Sequence, residues 1–274
     1  MVISDLRLPA SHLAFFCLVW AGSGGKIKGV KKILFVTGTD TGVGKTVLTA
    51  MLLAFLRERG GRVLAMKPFC SGGRDDARLL QSLQKECLTL DEVNPFYFDR
   101  PLAPGAAARG SGQKAPFGAV LGKIQAAASR CDLLLVEGIG GVMVPLGGDY
   151  TVRDLIRGLE CKTIVVCPNR LGTINHTLLT AEALESAGIE EFTIVLMGVK
   201  NPDISAASNP RMIRRMLPLR PVFCLPYLGF RAGTARGVKR NVKYLKKTLA
   251  QLAGGGILSI VLLQNEKGLD NKVC

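Results

Sequence analysis

The chemistry open to this chain is set first by three glycines, a lysine and a threonine. Gly38, Gly42 and Gly44 lie in a loop that ends Gly44-Lys45-Thr46. Glycines let backbone N–H groups turn toward anionic oxygens with no Cβ in the way. A helix starting at that point directs its positive end at the same oxygens. A lysine so placed reaches the outer phosphates of a nucleotide, and the Thr46 hydroxyl suits a magnesium ion. The spacing is unusual, because Gly38 and Gly44 enclose five residues where the common phosphate-binding pattern has four.

Further polar residues fall where apolar runs end. Lys67 and Ser71 follow the run 62–66, and Lys67 before Pro68 is a cation suited to neutralising charge built up in phosphoryl transfer. Glu137 follows 132–136 and precedes Gly138-Ile139-Gly140, where an acidic residue can hold a magnesium ion directly or through water. Asn201 follows 192–197. Asp76 stands at a helix start, where the dipole alone accounts for an acid. Asn175, His176 and Thr177 also sit at a helix start, where capping accounts for polar residues.

These residues need a frame that brings strand ends together. Short, continuously apolar runs read as buried strands over 33–37, 62–66, 132–136, 163–167, 192–197 and 222–225. Helical stretches alternate with them, over 47–60, 75–83, 117–129, 151–159, 172–186, 210–216 and 238–252. Residues 92–116, with prolines at 95, 101, 104 and 116, read as a long irregular and functional loop. The alternation predicts an α/β fold: a doubly wound, mainly parallel sheet with helices on both faces, of the P-loop NTPase kind. Ligands then bind at the carboxyl ends of the strands.

Composition narrows the classes. The chain has 274 residues, 48% of them hydrophobic, which is ample for one α/β core over 31–252. Residues 1–30 read as a disordered extension, and 253–274 as a tail of unassigned structure. Eight cysteines without a CxxC pair and only two histidines argue against a zinc site or a disulfide framework, and fit a reducing cytosol. The net charge of +15 is uneven: 33–199 balance at 17 basic and 17 acidic residues, whereas 200–247 carry 12 basic and one acidic, Asp203. Without aromatic interleaving or a nucleic-acid motif, this stretch reads as a solvated basic face, with neither nucleic acid nor membrane as partner.

Four segments, GTDTGVGKT, KPFCSGG, VEGIGGVMVPL and LGTINHTLLTAE, resemble the dethiobiotin synthase family in order and spacing. The resemblance runs from about residue 32 to 228, and the enlarged loop is characteristic of that family. It implies an ATP- and Mg²⁺-dependent homodimer that joins CO₂ to 7,8-diaminononanoate as a carbamate. The carbamate is phosphorylated, and the second amine closes the ureido ring. By motif, Gly42, Val43, Gly44, Lys45, Thr46 and Val47 would wrap the phosphates, with Thr46, Asp76 and Glu137 toward Mg²⁺. Lys67, Lys45 and Thr41 would be catalytic, and Thr41 and Ser71 substrate contacts. Gly138, Ile139 and Gly140 would line the ATP site, and Asn201, Pro226, Tyr227 and Leu228 the base. Gly172, Thr173 and Asn175 would reach the substrate of the neighbouring subunit.

Two departures stand out. Many members carry glutamate where Gly42 stands, and Asn201 is followed by Pro-Asp instead of the more usual Asp. Two other readings share the loop. A cobyrinate-type amidoligase normally adds a glutaminase domain, for which this length leaves no room. A partition- or septum-type ATPase usually carries a second lysine within the loop, and Thr39-Asp40-Thr41 offers none.

Overall fold

The computed structural model describes residues 33–112 and 114–254. The expected extension at 1–30 and all but the first two residues of the expected tail lie outside the described residues. Six strands form the central sheet: β1 (Ile33–Gly38), β2 (Val63–Met66), β5 (Leu133–Glu137), β8 (Lys162–Asn169), β9 (Phe192–Gly198) and β10 (Val222–Leu225). Their order is β10-β9-β8-β1-β5-β2, and every pairing in this sheet is parallel. Each expected strand is present, with ends shifted by no more than two residues.

Parallel strands need long crossovers, and right-handed crossovers sort the helices by the direction in which the chain moves along the sheet. The step from β1 to the edge strand β2 places helix Lys45–Arg57 on one face. Helices Asp75–Leu83 and Ala235–Gly254 pack against it there. The return steps through β5, β8, β9 and β10 use the opposite face. There helix Phe117–Ala128 packs against Val152–Leu159, and Thr173–Glu185 against Asn209–Met216. The first helix is sealed on nearly every side, with Leu48, Met51, Leu52, Leu53, Phe55 and Leu56 all buried.

Residues 92–116 differ from the expectation of an irregular stretch. They contain strand β4 (Phe96–Phe98) and helix Pro104–Ser111, and they overlap the end of the short helix Leu90–Val93. Strand β4 pairs in parallel with β3 (Phe69–Ser71), and Phe69 stacks on Phe96 at 5.2 Å. The prolines occupy positions that suit them: Pro104 opens its helix, where a missing N–H costs nothing, and Pro116 precedes the next one. Helix Lys45–Arg57 starts two residues earlier than expected, directly at the lysine. A small hairpin, β6 (Pro145–Gly147) with β7 (Tyr150–Thr151), follows the Glu137 loop.

In the terminal helix Arg236, Lys239, Arg240, Lys243, Lys246 and Lys247 are all exposed, while Val238, Val242, Leu245, Leu249 and Leu252 are buried. Up to Leu245, whose φ of −100° and ψ of 15° break the helix, Arg236, Lys239, Arg240 and Lys243 fall within one third of the circumference at 100° per residue, opposite Val238 and Val242. No described helix is long and apolar enough to cross a membrane.

The sheet top is closed by close backbone approaches. A Cβ on Gly198, at the end of β9, would lie 2.5 Å from the backbone nitrogen of Tyr227 and 2.7 Å from the carbonyl carbon of Pro226. Gly198→Ala must therefore push β9 away from the segment after β10. The expected cost is roughly 1–3 kcal/mol of stability, read by denaturant titration. A variant as stable as the parent would show that the two segments part freely.

Candidate active site

The loop between β1 and helix Lys45–Arg57 turns through two left-handed glycines, Gly42 at φ 73° and Gly44 at φ 103°. Gly44 is the N-cap, and no side chain caps the helix. Its first-turn N–H groups therefore stay open to a ligand. A Cβ on Gly38 would lie 2.7 Å from Val43 Cγ2, so this glycine lets the loop fold back tightly. Lys45 is buried and donates from Nζ to the backbone oxygen of Asp40 at 2.6 Å. Burial lowers its pKa to about 8, with Lys67 adding to the effect while Glu137 and Asp40 oppose it.

Lys67 leaves the end of β2 and Glu137 ends β5, and these two strands are neighbours in the sheet. The Lys67 ammonium donates to Glu137 Oε1 at 2.7 Å and also to Asp76 Oδ2. Thr46 Oγ1 donates to the same Glu137 oxygen at 2.6 Å. Burial pulls the Lys67 pKa down, but the Glu137 and Asp76 carboxylates more than offset it and hold the group above its ordinary value. The Glu137 side chain is fully buried, and its Oε2 has no hydrogen-bond partner among the described residues. That spare buried lone pair and the Thr46 oxygen are hard donors of the kind a small divalent cation takes. Lys45 and Lys67 balance Asp76 and Glu137, so the cluster is neutral and has no surplus cation to meet phosphate charge.

A cavity of about 650 Å³ opens over this cluster. Thr41, Gly42, Gly44, Lys45, Thr46 and Val47 line it from the loop, and Lys67, Ser71, Asp76, Ile139 and Gly140 from the other strand ends. Cys70, Gly73, Val144 and the segment 101–104 complete it. Cys70 and Val144 lie within two of the family segments without an expected role of their own, whereas 101–104 fall inside the stretch read as a functional loop. A second cavity of about 380 Å³ lies on the other side of the loop, against Val43, Met197, Lys200, Tyr227, Leu228 and Phe230. Gly42, Gly44 and Val47 line both.

Other expected residues fall elsewhere. Asn201 and Pro226 are exposed and outside the smaller cavity, although their neighbours Lys200 and Tyr227 line it. Gly172, Thr173 and Asn175 line neither. The expectation that capping explains the polar residues at 175–177 is corrected. The N-cap is Gly172 at φ 88°, without a side-chain cap. Thr177 instead donates to Cys167 Sγ at 3.3 Å, and Asn175 and His176 point to solvent. His176 lines a further cavity with Asp40, Met143 and Leu179.

Residues 32–229 match a family described as AAA domain. The ATP-dependent dethiobiotin synthetase BioD of Bacillus licheniformis is 41% identical over 205 residues, 72% of this chain and 84% of that one. Its counterpart from Bacillus subtilis strain 168 is 36% identical over 241 residues, 86% of this chain and 98% of that one. The chain belongs to the dethiobiotin synthetase family. Among solved structures, the MinD cell division protein of Aquifex aeolicus superposes with a TM-score of 0.50 at 14% identity, covering 88% of this chain and 100% of that one. That likeness concerns the fold alone. In this member of the dethiobiotin synthetase family, the enlarged loop, Lys67 and Asp76 line one cavity, and Glu137 is buried behind Lys67.

The lowered pKa of Lys45 has a signed consequence for the protein without ligand. Below about pH 8 the lysine is charged in both folded and unfolded chains, and the folded state carries the burial penalty in full. Between about 8 and the ordinary 10.5 the unfolded chain binds more protons, so stability rises with pH across that window. Relative to Lys45→Met, the parent should gain up to roughly 3 kcal/mol between pH 7.5 and 10.5 in denaturant titrations. Identical pH profiles would remove the burial penalty at Lys45.

Proposed function

We propose that this chain is an ATP-dependent dethiobiotin synthetase: it joins CO₂ to 7,8-diaminononanoate and closes the ureido ring, giving dethiobiotin, ADP and phosphate. The observation that carries this reading is the buried Lys67–Glu137 pair, joined by Asp76 and Thr46, at the floor of a cavity whose wall is a phosphate-binding loop. Membership of the family supplies the substrate class.

The loop N–H groups between Gly42 and Val47 and the open helix start hold the triphosphate, and Lys45 turns from the Asp40 carbonyl to its outer oxygens. Gly138, Ile139 and Gly140 border the same phosphates. Thr46, Asp76 and Glu137 would hold Mg²⁺, which would supply neutralisation of phosphate charge. The base lies in the smaller cavity beside Tyr227 and Leu228, with Asn201 and Pro226 at its edge.

In the larger cavity Thr41 and Ser71 position the diamine after one amine has taken up CO₂. A carbamate oxygen then bonds to the γ-phosphorus as the bond to ADP breaks. The second amine next attacks the carbamoyl carbon, and phosphate departs as the ring closes. Lys67 is the catalytic cation: fixed by two carboxylates, it donates toward oxygens on which charge develops. No protein nucleophile is required, and positioning carries the rate.

A homodimer belongs to this reading: Gly172 and Asn175 are exposed and border neither of these two cavities, so a neighbour's substrate can reach them, whereas Thr173 is buried at the helix start. The reaction needs neither nucleic acid nor membrane, the basic stripe is solvated charge, and the setting is the cytoplasm.

The deciding measurement is phosphate release and ureido product with ATP, Mg²⁺ and bicarbonate, with and without the diamine. Phosphate release that ignores the diamine, with no ureido product, would sink the reading. Lys67→Ala should lower kcat by roughly 100-fold or more while ATP affinity changes only a few-fold, as for a transition-state contact. Unchanged turnover would remove Lys67 from the catalytic groups.

A further inference from the structure

We infer that Arg74 and Asn94 form a clamp that positions Lys67 and Asp76 against each other, an inference resting on the proposed synthetase reading. Asn94 is almost fully buried. Its amide nitrogen donates to the backbone oxygens of Lys67 at 2.9 Å, Pro68 at 3.2 Å and Phe96 at 3.4 Å. Its Oδ1 accepts from Arg74 Nε at 3.0 Å. The Lys67 amide donates to the neighbouring Val93 carbonyl at 2.9 Å. One buried side chain thus grips the backbone on which the Lys67 ammonium is mounted.

Arg74 connects that grip to the second carboxylate. It is the residue before helix Asp75–Leu83, two positions from Asp76, and no side chain caps this helix. Its guanidinium turns away from its own helix instead. Nη2 donates to the carbonyls of Leu90 and Asn94, both at 3.0 Å, and to Asp91 Oδ1 at 2.7 Å. The plane also stands 5.4 Å from the Tyr97 ring centre. This planar fork satisfies four acceptors at once, which a lysine ammonium on its flexible stem cannot reproduce. Asp76 is half exposed, so its meeting with the buried Lys67 ammonium depends on where the helix starts. Neither clamp residue lines the larger cavity, so both are positioning residues and not catalytic ones.

A residue that merely stabilises the fold would lower activity regardless of Asp76; one that acts through Asp76 would not. Arg74→Met, Arg74→Lys, Asp76→Ala and the double variant Arg74→Met/Asp76→Ala are to be compared for kcat, KM for ATP and thermal midpoint. The expected result is a fall in kcat of roughly tenfold or more for Arg74→Met, with KM for ATP within about threefold. Arg74→Lys should not restore it. In the Asp76→Ala background the same substitution should cost less than about twofold, since the carboxylate it positions is gone. Equal fold-losses in both backgrounds, or full rescue by lysine, would overturn the clamp. A parent chain that forms no ureido product would instead overturn the synthetase reading, which separates the two failures. Asn94→Ala is the poorer probe, because it strands three backbone carbonyls and can unfold the chain.

Discussion

The site depends on a salt bridge that is poor value as a stabiliser. Lys67 and Glu137 are both taken out of water, and the Coulombic gain of a buried pair often fails to cover the desolvation of its members. Two apolar side chains at the ends of β2 and β5 would serve the sheet as well. What the pair provides is a cation whose position is fixed by neighbouring parallel strands, with a carboxylate oxygen left over. Each partner makes the other tolerable: without Glu137 the lysine would have only Asp76 to offset its burial, and without Lys67 the carboxylate would be an unpaired buried charge. The same field is felt across the cavity, where Lys67 helps to depress the pKa of Lys45. Two lysines facing one cavity therefore behave differently, one held firmly charged and one poised to shed its proton.

Topology explains why these groups meet. β1 is flanked by β5 and β8, and the chain reverses its direction along the sheet around it, which opens a crevice at its carboxyl end. Glycines then let the loops close over that crevice. A Cβ on Gly138 would lie 2.9 Å from the Phe35 ring, and one on Gly140 2.7 Å from Val144. At Gly42 the constraint is of another kind. A Cβ there would meet nothing within 4 Å, yet φ of 73° favours glycine. Space beside the loop therefore admits a Cβ, while the backbone conformation makes glycine the least strained choice.

Much of this was legible in the chain, for physical reasons that differ by residue. Parallel strands buried on both faces must be continuously apolar, so all six could be read from hydropathy alone. Lys67 and Glu137 stood out because each directly follows such a run. Asp76 did not, since an acid in the first turn of a helix already has a local explanation; its contact with Lys67 is a product of tertiary placement. The stretch 92–116 misled for a related reason. Its prolines signal breaks, but β4 is only three residues long and gains its identity by pairing with β3, which no local pattern records.

The partition of the crevice was the least legible feature and bears most on chemistry. Gly42, Gly44 and Val47 form a wall between the larger and the smaller cavity, so the enlarged loop is shared by both. A nucleotide that laid its phosphates over the open helix start would have its base on one side and its terminal phosphate on the other. The side chains with reactive character, Lys67, Ser71 and Asp76, all lie on the terminal side, while the base side is mostly apolar, with Met197, Tyr227, Leu228 and Phe230. The loop thus does more than bind phosphate. On the proposed reading its length would set where the nucleotide ends and the acceptor begins, with Thr41 lining the acceptor's cavity.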